Sequence, residues 1–325
     1  MERDAKIYVA GGETLIGSAL LRELKRQGYS RLLGGPGKEP EATEASLVDM
    51  FFAATRPDYV FLAAGKSGGI RANQNRPAEL IRHNLLGECH LIHSAYRHGV
   101  KKLLYLASSC CYPKHSPQPM RVESLLTGPL EPTSAAYAIA KIAGIQLCQA
   151  YRQQYGVKFV SAIPADIFGP GDDFNLDNSH VIAALIRKMH DAKRARAGHV
   201  EIWGTGTPRR EFVFVDDLAD ACILVMRQYE GPEPINLGTG LALSVRELGE
   251  LVKEVVGYNG ELRFDVSKPD GMPAKALDSS RLKELGWRSK TSIHAALAIT
   301  SEWFLQEERR RAASITDQTV SEGLL

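Results

Sequence analysis

The chain has 325 residues and nearly balanced charge, with 40 Lys and Arg against 38 Asp and Glu and a formal net charge of +2. This balance gives no reason to expect a nucleic acid or membrane partner, and no run of eighteen apolar residues is present to span a bilayer. The length exceeds that of the usual single domain, so we expect one large domain with a smaller lobe.

The start of the chain and its cysteines indicate a cytoplasmic enzyme. Met1–Lys6 lacks the apolar core of a signal peptide. The five cysteines are scattered and include no C-x-x-C pair, so we expect reduced thiols and no metal site. The segment from Gln306 onward is charged and then polar, which is typical of a frayed helix, and we expect residues 306–325 to form a flexible tail.

The first elements predicted in chain order are a strand, a Gly-rich turn and a helix. Lys6–Ala10 has the composition of a buried strand, Gly11, Gly12 and Gly17 follow it, and Ser18–Gly28 has apolar residues at helical spacing. This order is typical of a dinucleotide site. Gly allows the tight turn and the approach of a pyrophosphate, and the helix N-terminus supplies amides.

The Gly pattern is incomplete, because Thr14 stands where a middle Gly is expected. A turn that uses Gly only for its geometry is therefore an alternative. Asp58–Gly65 is a second buried strand that ends in small residues, where a cofactor can lie close. Asp49, ahead of that strand, is a candidate acceptor for an adenine amine, and a helix cap is an equal alternative.

A Ser, a Tyr and a Lys further along form a candidate proton-transfer group. The apolar run Leu103–Cys110 contains Ser108, and Tyr137 and Lys141 follow at helical spacing i and i+4. A phenol has an ordinary pKa of about 10, and a nearby ammonium lowers it. The alternative is a packed Tyr beside a solvated Lys, because Tyr-x-x-x-Lys arises often by chance on a helix.

The order of elements predicts an α/β fold, a Rossmann-like doubly wound parallel sheet with a smaller mixed α/β lobe. Predicted strands at 6–10, 58–64, 102–107 and 158–164 alternate with predicted helices at 16–27, 77–98 and 135–155. A turn-rich segment and a basic helix, Val181–Ala195, follow. We place the dinucleotide-binding domain at 1–165 with a return segment at 213–240, and a substrate-binding lobe at 166–212 and 241–305.

From about Ile7 to Phe304 the chain resembles the GDP-L-fucose synthases, a family of extended short-chain dehydrogenases/reductases. The resemblance is carried by Ala64–Ile70, Ser108–Lys114, Glu131–Pro132, Tyr137–Gly144, Asn178–Ile182, Trp203–Phe212 and Ser267–Gly271. It implies epimerisation at C3 and C5 of GDP-4-keto-6-deoxy-D-mannose and reduction at C4 with NADPH, giving GDP-L-fucose.

Epimerisation beside a ketone needs a base and an acid near the sugar ring. Cys110 lies two residues after Ser108, so both side chains share one face if the strand continues, with Ser109 and Cys111 pointing away. A thiolate can act as the base, and His180 titrates near neutrality and is a natural proton donor. Without the resemblance, a core thiol and a loop histidine are the more common interpretations.

The resemblance implies a role for each catalytic residue. Cys110 and His180 match the family's base and acid. Tyr137 protonates O4, Lys141 lowers the pKa of Tyr137 and holds the cofactor ribose, and Ser108 holds the keto oxygen. The implied contacts of the cofactor are Gly11, Gly12, Thr14, Leu15, Ile16, Gly17, Asp49, Ala63, Ala64, Lys141, Pro164, Ile167 and His180.

The resemblance also implies cationic contacts with the diphosphate of the substrate, for which Arg is best suited. Arg210 and Lys275 match nucleotide-contacting positions, and Trp203 is available to cover the guanine or ribose. Lys188 stands where the family often has Arg, which keeps the charge and loses the bidentate fork. For each cation alone, a solvated surface role is the default interpretation.

Two departures from the family pattern bear on cofactor and substrate. Glu13 replaces the Arg that helps hold the 2′-phosphate of NADP, and the following segment Leu33–Pro40 offers only Lys38 as a cation. It also lacks an acidic residue immediately at the strand end. We expect NADP(H) as cofactor by resemblance, with a weakened preference that allows NAD(H). Asp166 replaces the usual Asn beside Ala165, so the accepted sugar is open to change.

Three functions therefore stay open. The first is the family reaction, the second is an epimerase or reductase of another nucleotide-linked keto sugar, and the third is a non-catalytic protein that binds a nucleotide sugar or dinucleotide. For assembly, the helices at 77–98 and 135–155 suit a four-helix interface with a symmetry mate, so we expect a homodimer.

Overall fold

Twelve strands and ten helices make up the described part of the chain. The computed structural model describes residues 1–322, with side chains described for residues 1–313. The strands are β1 (Ile7–Ala10), β2 (Leu32–Leu33), β3 (Tyr59–Leu62), β4 (Lys102–Leu106), β5 (Lys158–Pro164), β6 (Asp166–Phe168), β7 (His199–Trp203), β8 (Arg209–Phe214), β9 (Ile235–Leu237), β10 (Ala242–Ser244), β11 (Glu261–Asp265) and β12 (Ala274–Lys275).

The helices alternate with the strands over the first half of the chain. They are α1 (Leu15–Arg26), α2 (Ala45–Thr55), α3 (Ile70–Asn75), α4 (Pro77–Arg97), α5 (Ala135–Tyr155), α6 (Val181–Arg194), α7 (Val215–Gln228), α8 (Val245–Val256), α9 (Ser280–Glu284) and α10 (Ile293–Glu322). Short 3₁₀ turns occur at Ser109–Cys111, Val122–Ser124 and Pro132–Ser134.

A six-stranded parallel sheet with the order β2-β1-β3-β4-β5-β9 forms the centre of the larger part. Every residue of β1, β3 and β4 is buried, because helices cover both faces of the sheet. The predicted doubly wound α/β fold is confirmed. The four predicted strands and three predicted helices of this part are also present, within one or two residues at most ends.

The sheet order changes direction between β1 and β3, since the chain leaves β1 for the β2 edge and then returns. Ligands of such sheets bind at the carboxyl ends of the strands beside this switch point. The Gly-rich turn follows β1, and Ala63 and Ala64 follow β3. The fold therefore brings the two predicted cofactor segments to the same edge.

Helix α5 packs against β4 through Gly144. A Cβ atom at Gly144 would lie 2.3 Å from Cζ of Tyr105, so only Gly allows this approach. The Tyr105 hydroxyl donates a hydrogen bond of 3.2 Å to the carbonyl oxygen of Lys141 on the same helix. These two contacts fix the rotation of α5 about its axis.

The second part has its own sheet and its own hydrophobic core. Strands β6, β10 and β12 all pair with β8, and β7 pairs with β11. The core of this part packs between α6, α8 and α10 and includes Phe212, Leu248 and Phe304. Helix α8 begins with a capping box between Ser244 and Glu247. Trp287 belongs to the predicted lobe at 241–305, but its side chain packs in the core of the larger part. The predicted boundary between the domain and the lobe therefore stays a prediction.

The chain beyond Gln306 continues helix α10 through Glu322. The predicted flexible tail at 306–325 stays a prediction, and its last three residues lie outside the described part. The five cysteines form no disulfide, as expected. Within residues 1–322, no helix combines the length and apolar character that crossing a bilayer requires.

Candidate active site

The Gly-rich turn has the geometry of a dinucleotide site. Gly11 has a φ of +83°, and a Cβ there would lie 2.6 Å from the backbone of Ala64. A Cβ at Gly17 would lie 1.9 Å from the carbonyl oxygen of Gly11. Thr14 caps α1, since its Oγ1 accepts a hydrogen bond of 3.1 Å from the Gly17 amide. These contacts are also compatible with the alternative in which the glycines only allow the shape of the turn and bind no cofactor.

The neighbouring residues fit a nicotinamide dinucleotide. Leu15 and Ile16 form the first turn of α1, whose amides have no intrahelical acceptor. At the end of β3, a Cβ on Gly65 would lie 3.4 Å from the ammonium of Lys141. A continuous path therefore joins the helix N-terminus to the predicted triad, and Pro164 and Ile167 lie on the neighbouring strands β5 and β6.

Glu39 closes the Gly-rich turn and was missed by the sequence analysis. Its Oε2 accepts from the Gly11 amide at 2.6 Å, and its Oε1 accepts from Gly12 at 2.7 Å and from Gly35 at 3.2 Å. The hydroxyl of buried Tyr8 donates to Oε2 at 3.3 Å. The available signal was the family habit of placing an acidic residue about 20 residues after the Gly-rich turn.

Asp49 lies away from this path. It is inside α2, where its carboxylate binds His98 Nε2 at 2.8 Å and Arg97 at 3.2 Å. The helix-cap alternative is wrong, because Glu44 holds the N-cap position of α2. The contact with an adenine amine stays a prediction, and it competes with two existing partners.

Ser108, Tyr137 and Lys141 meet at the carboxyl end of β4. Lys141 Nζ lies 6.0 Å from the centre of the Tyr137 ring, and the Ser108 hydroxyl favours the Tyr137 phenolate. Burial, followed by the nearby thiols Cys110 and Cys111, nevertheless raises the pKa of Tyr137 above its ordinary value. Lys141 is not among the main causes of this shift, so the lowering of the Tyr137 pKa by Lys141 stays a prediction.

The charge of Lys141 is balanced by Glu88, a second residue that the sequence analysis missed. Lys141 Nζ donates to Glu88 Oε1 at 2.8 Å and to the Leu106 carbonyl at 3.2 Å. Both side chains are buried. Burial raises the pKa of Glu88, and Lys141 opposes that rise. The available signal was a Glu on the same face of α4 as Asn84 and Leu91.

The thiol of Cys110 projects from a 3₁₀ turn and not from a strand. Strand β4 ends at Leu106, and Ser108 caps the turn by accepting the Cys110 amide at 3.2 Å. The condition for a shared face, a strand that continues to Cys110, is not met, because this local cap replaces the extended backbone by a 3₁₀ turn. Cys110 is half-buried and Cys111 is fully buried. The 3₁₀ turn leaves Cys110 partly exposed and Cys111 buried, so the two thiols face different surroundings, as strand alternation also predicts.

An ion pair between Asp166 and Lys275 lies beside Cys110. Lys275 Nζ is 2.6 Å from Asp166 Oδ1 and 3.9 Å from Cys110 Sγ, and Ser109 Oγ donates to Asp166 Oδ1 at 3.3 Å. Burial alone raises the pKa of Asp166, but Lys275 and Arg210 hold it below its ordinary value. Lys275 therefore lies beside the Cys110 thiol and is paired with Asp166, the residue that departs from the family pattern.

His180 lies at the N-cap of α6 and faces the same group of charges. His180 is an exposed residue, but burial of its ring lowers its pKa, an effect that Asp166 opposes. The preceding loop is held by Gly69, whose amide donates to the Asn178 carbonyl at 2.8 Å. The cleft therefore gathers an imidazole, a thiol and a phenol.

The other predicted substrate contacts lie on the second part of the molecule. Arg210 Nη2 donates to the Asp270 carbonyl at 3.1 Å, and its charge acts on Asp166. Trp203 is 36% exposed at the end of β7, with Lys268 Nζ 5.5 Å from its ring centre. Lys188 donates to the Glu201 carbonyl at 2.9 Å, and burial lowers its pKa.

Comparison with known proteins identifies the family. The model of the "NAD dependent epimerase/dehydratase family" matches residues 7–238. The chain belongs to this family. It is 51% identical over 305 residues to GDP-L-fucose synthase 1 of Arabidopsis thaliana, covering 94% of each chain. The resemblance to GDP-L-fucose synthases is thereby confirmed.

Two solved structures of the family are also similar. A GDP-6-OMe-4-keto-L-xylo-heptose reductase from C. jejuni has a TM-score of 0.88 and 32% identity, covering 94% of this chain and 99% of that one. A GDP-L-fucose synthetase of Naegleria fowleri bound to NADP has a TM-score of 0.87 and 26% identity, covering 95% and 96%. A nicotinamide cofactor is common to the family.

Proposed function

We propose that this chain epimerises C3 and C5 of GDP-4-keto-6-deoxy-D-mannose and then reduces C4, giving GDP-L-fucose. The observation that carries this proposal is the meeting of Cys110 and His180 with the Ser108–Tyr137–Lys141 group in one cleft. A reductase alone needs no thiol and imidazole beside its tyrosine. An epimerase that works by transient oxidation of its substrate needs no separate acid and base to remove and return a carbon-bound proton.

The two epimerisations use the acidity of carbons next to the ketone. Cys110, as the thiolate, takes the proton from C3 or C5, and the electron pair moves to the keto oxygen held by Ser108. His180, as the imidazolium, returns a proton to the opposite face of the carbon. His180 is an exposed residue at the N-cap of α6, which gives its proton a route to solvent.

The reduction at C4 uses the Tyr137 hydroxyl as the acid. A nicotinamide dinucleotide supplies the hydride when bound, NADPH by resemblance, while the charge around the Gly-rich turn favours NADH. Tyr137 gives its proton to O4 as C4 becomes an alcohol, and its raised pKa suits a proton donor. Lys141, held by Glu88, stabilises the negative charge that develops on the phenol oxygen.

The nucleotide end of the substrate lies toward the second part of the molecule. Arg210 supplies a bidentate fork for the diphosphate, and Lys188 adds a point charge. Exposed Trp203 offers a flat surface for the guanine or ribose. Lys275 acts at the sugar end of the site, since its ammonium already binds Asp166 beside Cys110.

Exchange of the sugar protons with D₂O, without cofactor, tests the epimerase half. We expect deuterium at both C3 and C5 with the wild-type chain and a loss of at least 100-fold in Cys110→Ser. Cys89→Ser is the matched control, because that thiol is exposed on α4, and it should exchange at the wild-type rate. Absence of exchange with every keto sugar tried would support the non-catalytic alternative.

A different keto sugar is the second candidate substrate, and Asp166 favours it. This carboxylate replaces the family's neutral amide beside the sugar and fixes Lys275 there. A substrate with an additional polar group at this end of the ring would gain a partner. Turnover of a panel of GDP-linked keto sugars decides between the two, since the first candidate requires the 6-deoxy-mannose compound to give the highest kcat/KM.

The assembly and location stay predictions. Helices α4 and α5 lie side by side, and Ile139 and Tyr155 are exposed on α5 at 48% and 44%. A homodimer through these helices is expected to show twice the mass of one chain in light scattering. A cytoplasmic location is proposed from the five cysteines, none of which forms a disulfide.

A further inference from the structure

The contacts of Glu39 suggest a role in choosing the cofactor. A carboxylate only accepts hydrogen bonds, and here its two oxygens take the amides of Gly11 and Gly12 at 2.6 and 2.7 Å. Those amides belong to the turn that faces the adenosine half of a dinucleotide. A negative charge is therefore fixed beside the place where the 2′ position of the adenosine ribose lies.

The chain delivers Glu39 to this position by three glycines with left-handed φ. Gly34, Gly35 and Gly37 have φ of +110°, +97° and +66°, and they fold the segment after β2 back onto the turn. A Cβ on Gly12 would lie 2.4 Å from the Gly35 amide, so the two segments touch through their backbones. Glu39 follows Gly17 by 22 residues, although it stands six residues beyond the end of β2.

A second carboxylate strengthens the effect. Glu13 Oε1 accepts the Gly37 amide at 3.0 Å, so this side chain lies on the same segment. Lys38 is the one cation between residues 34 and 40. A 2′-phosphate carries between one and two negative charges, and two nearby carboxylates repel it. A 2′-hydroxyl is neutral and can donate to Glu39, whose contacts with Gly35 and Tyr8 are long.

We propose that Glu39, assisted by Glu13, makes this enzyme prefer NAD(H) over NADP(H) by accepting the ribose hydroxyl and excluding a 2′-phosphate. The inference rests on the proposed function only in requiring a nicotinamide dinucleotide. It assigns the selection to Glu39 in a turn where Glu13 stands in place of the family's Arg.

Binding of NAD⁺ and NADP⁺ to the chain without sugar, measured by titration calorimetry, tests the inference. We expect the wild type to bind NAD⁺ at least 10-fold more tightly than NADP⁺. Glu39→Gln should move this ratio toward NADP⁺ by at least 10-fold, because the charge is removed. Glu44→Gln, a charge change of the same kind at the start of α2, should leave the ratio unchanged.

A second variant guards against loss of the turn in Glu39→Gln. Glu13→Arg restores the cation of the family without touching Glu39, and it should tighten NADP⁺ at least 10-fold with NAD⁺ little changed. Tighter NADP⁺ binding by the wild type, or an equal change for both dinucleotides in Glu39→Gln, would overturn the role of Glu39 alone. Binding of neither dinucleotide would also overturn the proposed reduction.

Discussion

The carboxylates at the predicted catalytic end of the cleft are paired with lysines, whereas the carboxylate at the Gly-rich turn is bound by backbone amides. At the catalytic end, Glu88 binds Lys141 and Asp166 binds Lys275, both through contacts shorter than 3 Å. At the turn, Glu39 rests on backbone amides, and no Lys or Arg is paired with it among the described residues. Asp172, in the neighbouring loop, has one buried oxygen without a hydrogen-bond partner.

This difference shows that the partner of a carboxylate determines what the site accepts. A carboxylate paired with a lysine holds that cation in place and leaves the site close to neutral, so phosphates and developing oxyanions are tolerated. A carboxylate that accepts hydrogen bonds from backbone amides satisfies those amides, but no cation neutralises its charge. The predicted catalytic end therefore presents cations held by carboxylates, whereas the turn presents a carboxylate held by amides.

The largest effect is expected on removing the cation from the Glu88 pair. Lys141→Met should lower the free energy of unfolding by about 3–5 kcal/mol, because it leaves a buried carboxylate without compensation. The loss should shrink as pH falls, since burial raises the pKa of Glu88 and a proton then replaces the lysine. Urea denaturation at pH 8 and pH 5 measures both.

Two variants control this prediction. Lys141→Met combined with Glu88→Gln should recover part of the lost stability, because the unpaired charge is gone. Lys66→Met breaks the exposed pair with Glu79 and should cost about 0–1 kcal/mol. A loss in Lys141→Met no greater than that in Lys66→Met would show that the buried pair carries no special weight.

A smaller effect is expected at Asp166. Asp166→Asn should cost about 2 kcal/mol at pH 7, discounted because the Asp166 side chain is 31% exposed. The pKa of Asp166 is lowered in the folded chain, so its contribution is present above the unfolded value of about 4 and is lost as pH falls through the folded value. Urea midpoints should differ by the same amount from pH 6 to 8 and converge below pH 4.

The uncompensated Asp172 should behave in the opposite way. Burial raises the pKa of Asp172 to about 7, so its ionisation opposes folding increasingly as pH rises from about 4 to 7. Asp172→Asn should therefore stabilise the chain by about 1–2 kcal/mol at pH 8, with a smaller gain at pH 5. A thermal denaturation series over this range checks the sign, and a gain that grows on acidification would contradict it.

The smallest effect is expected from the helix caps. Thr14→Ala should cost about 1 kcal/mol of stability and should also weaken dinucleotide binding, because Thr14 shapes the turn. Ser244→Ala removes a comparable cap from α8, far from the turn, and should cost a similar amount of stability without changing dinucleotide binding. Equal dinucleotide affinity in the two variants would refute the role of Thr14.

Local patterns predicted the sheet and its helices because each strand is buried on both faces and each helix has one apolar face. The same local logic left the backbone at Cys110 open, and the structure shows that a cap from Ser108 forms a 3₁₀ turn there. Periodicity cannot detect such a cap. The fold class was therefore predictable, while the direction of the thiol was not.

The missed residues of the site depend on long-range approach. Glu39 reaches the turn only through left-handed glycines, and Glu88 meets Lys141 from another helix. The sequence held a signal for each residue, a spacing of about 20 residues after the turn for Glu39 and a shared helix face for Glu88, but it did not reveal the partner that each one meets. The raised pKa of Tyr137 is likewise set by burial and by thiols brought near by folding, whereas the spacing of Tyr137 and Lys141 indicated only the opposite trend.

The close packing of Gly144 against Tyr105 affects how inactive variants of this chain should be interpreted. Adding one methyl group at position 144 would push the helix outward and turn it, although Gly144 packs against Tyr105 and is not one of the predicted site residues. Tyr137 and Lys141 lie on the same helix α5, so its displacement would move the proposed proton donor Tyr137 out of position. A screen for inactive variants would then score a packing defect as a chemical one.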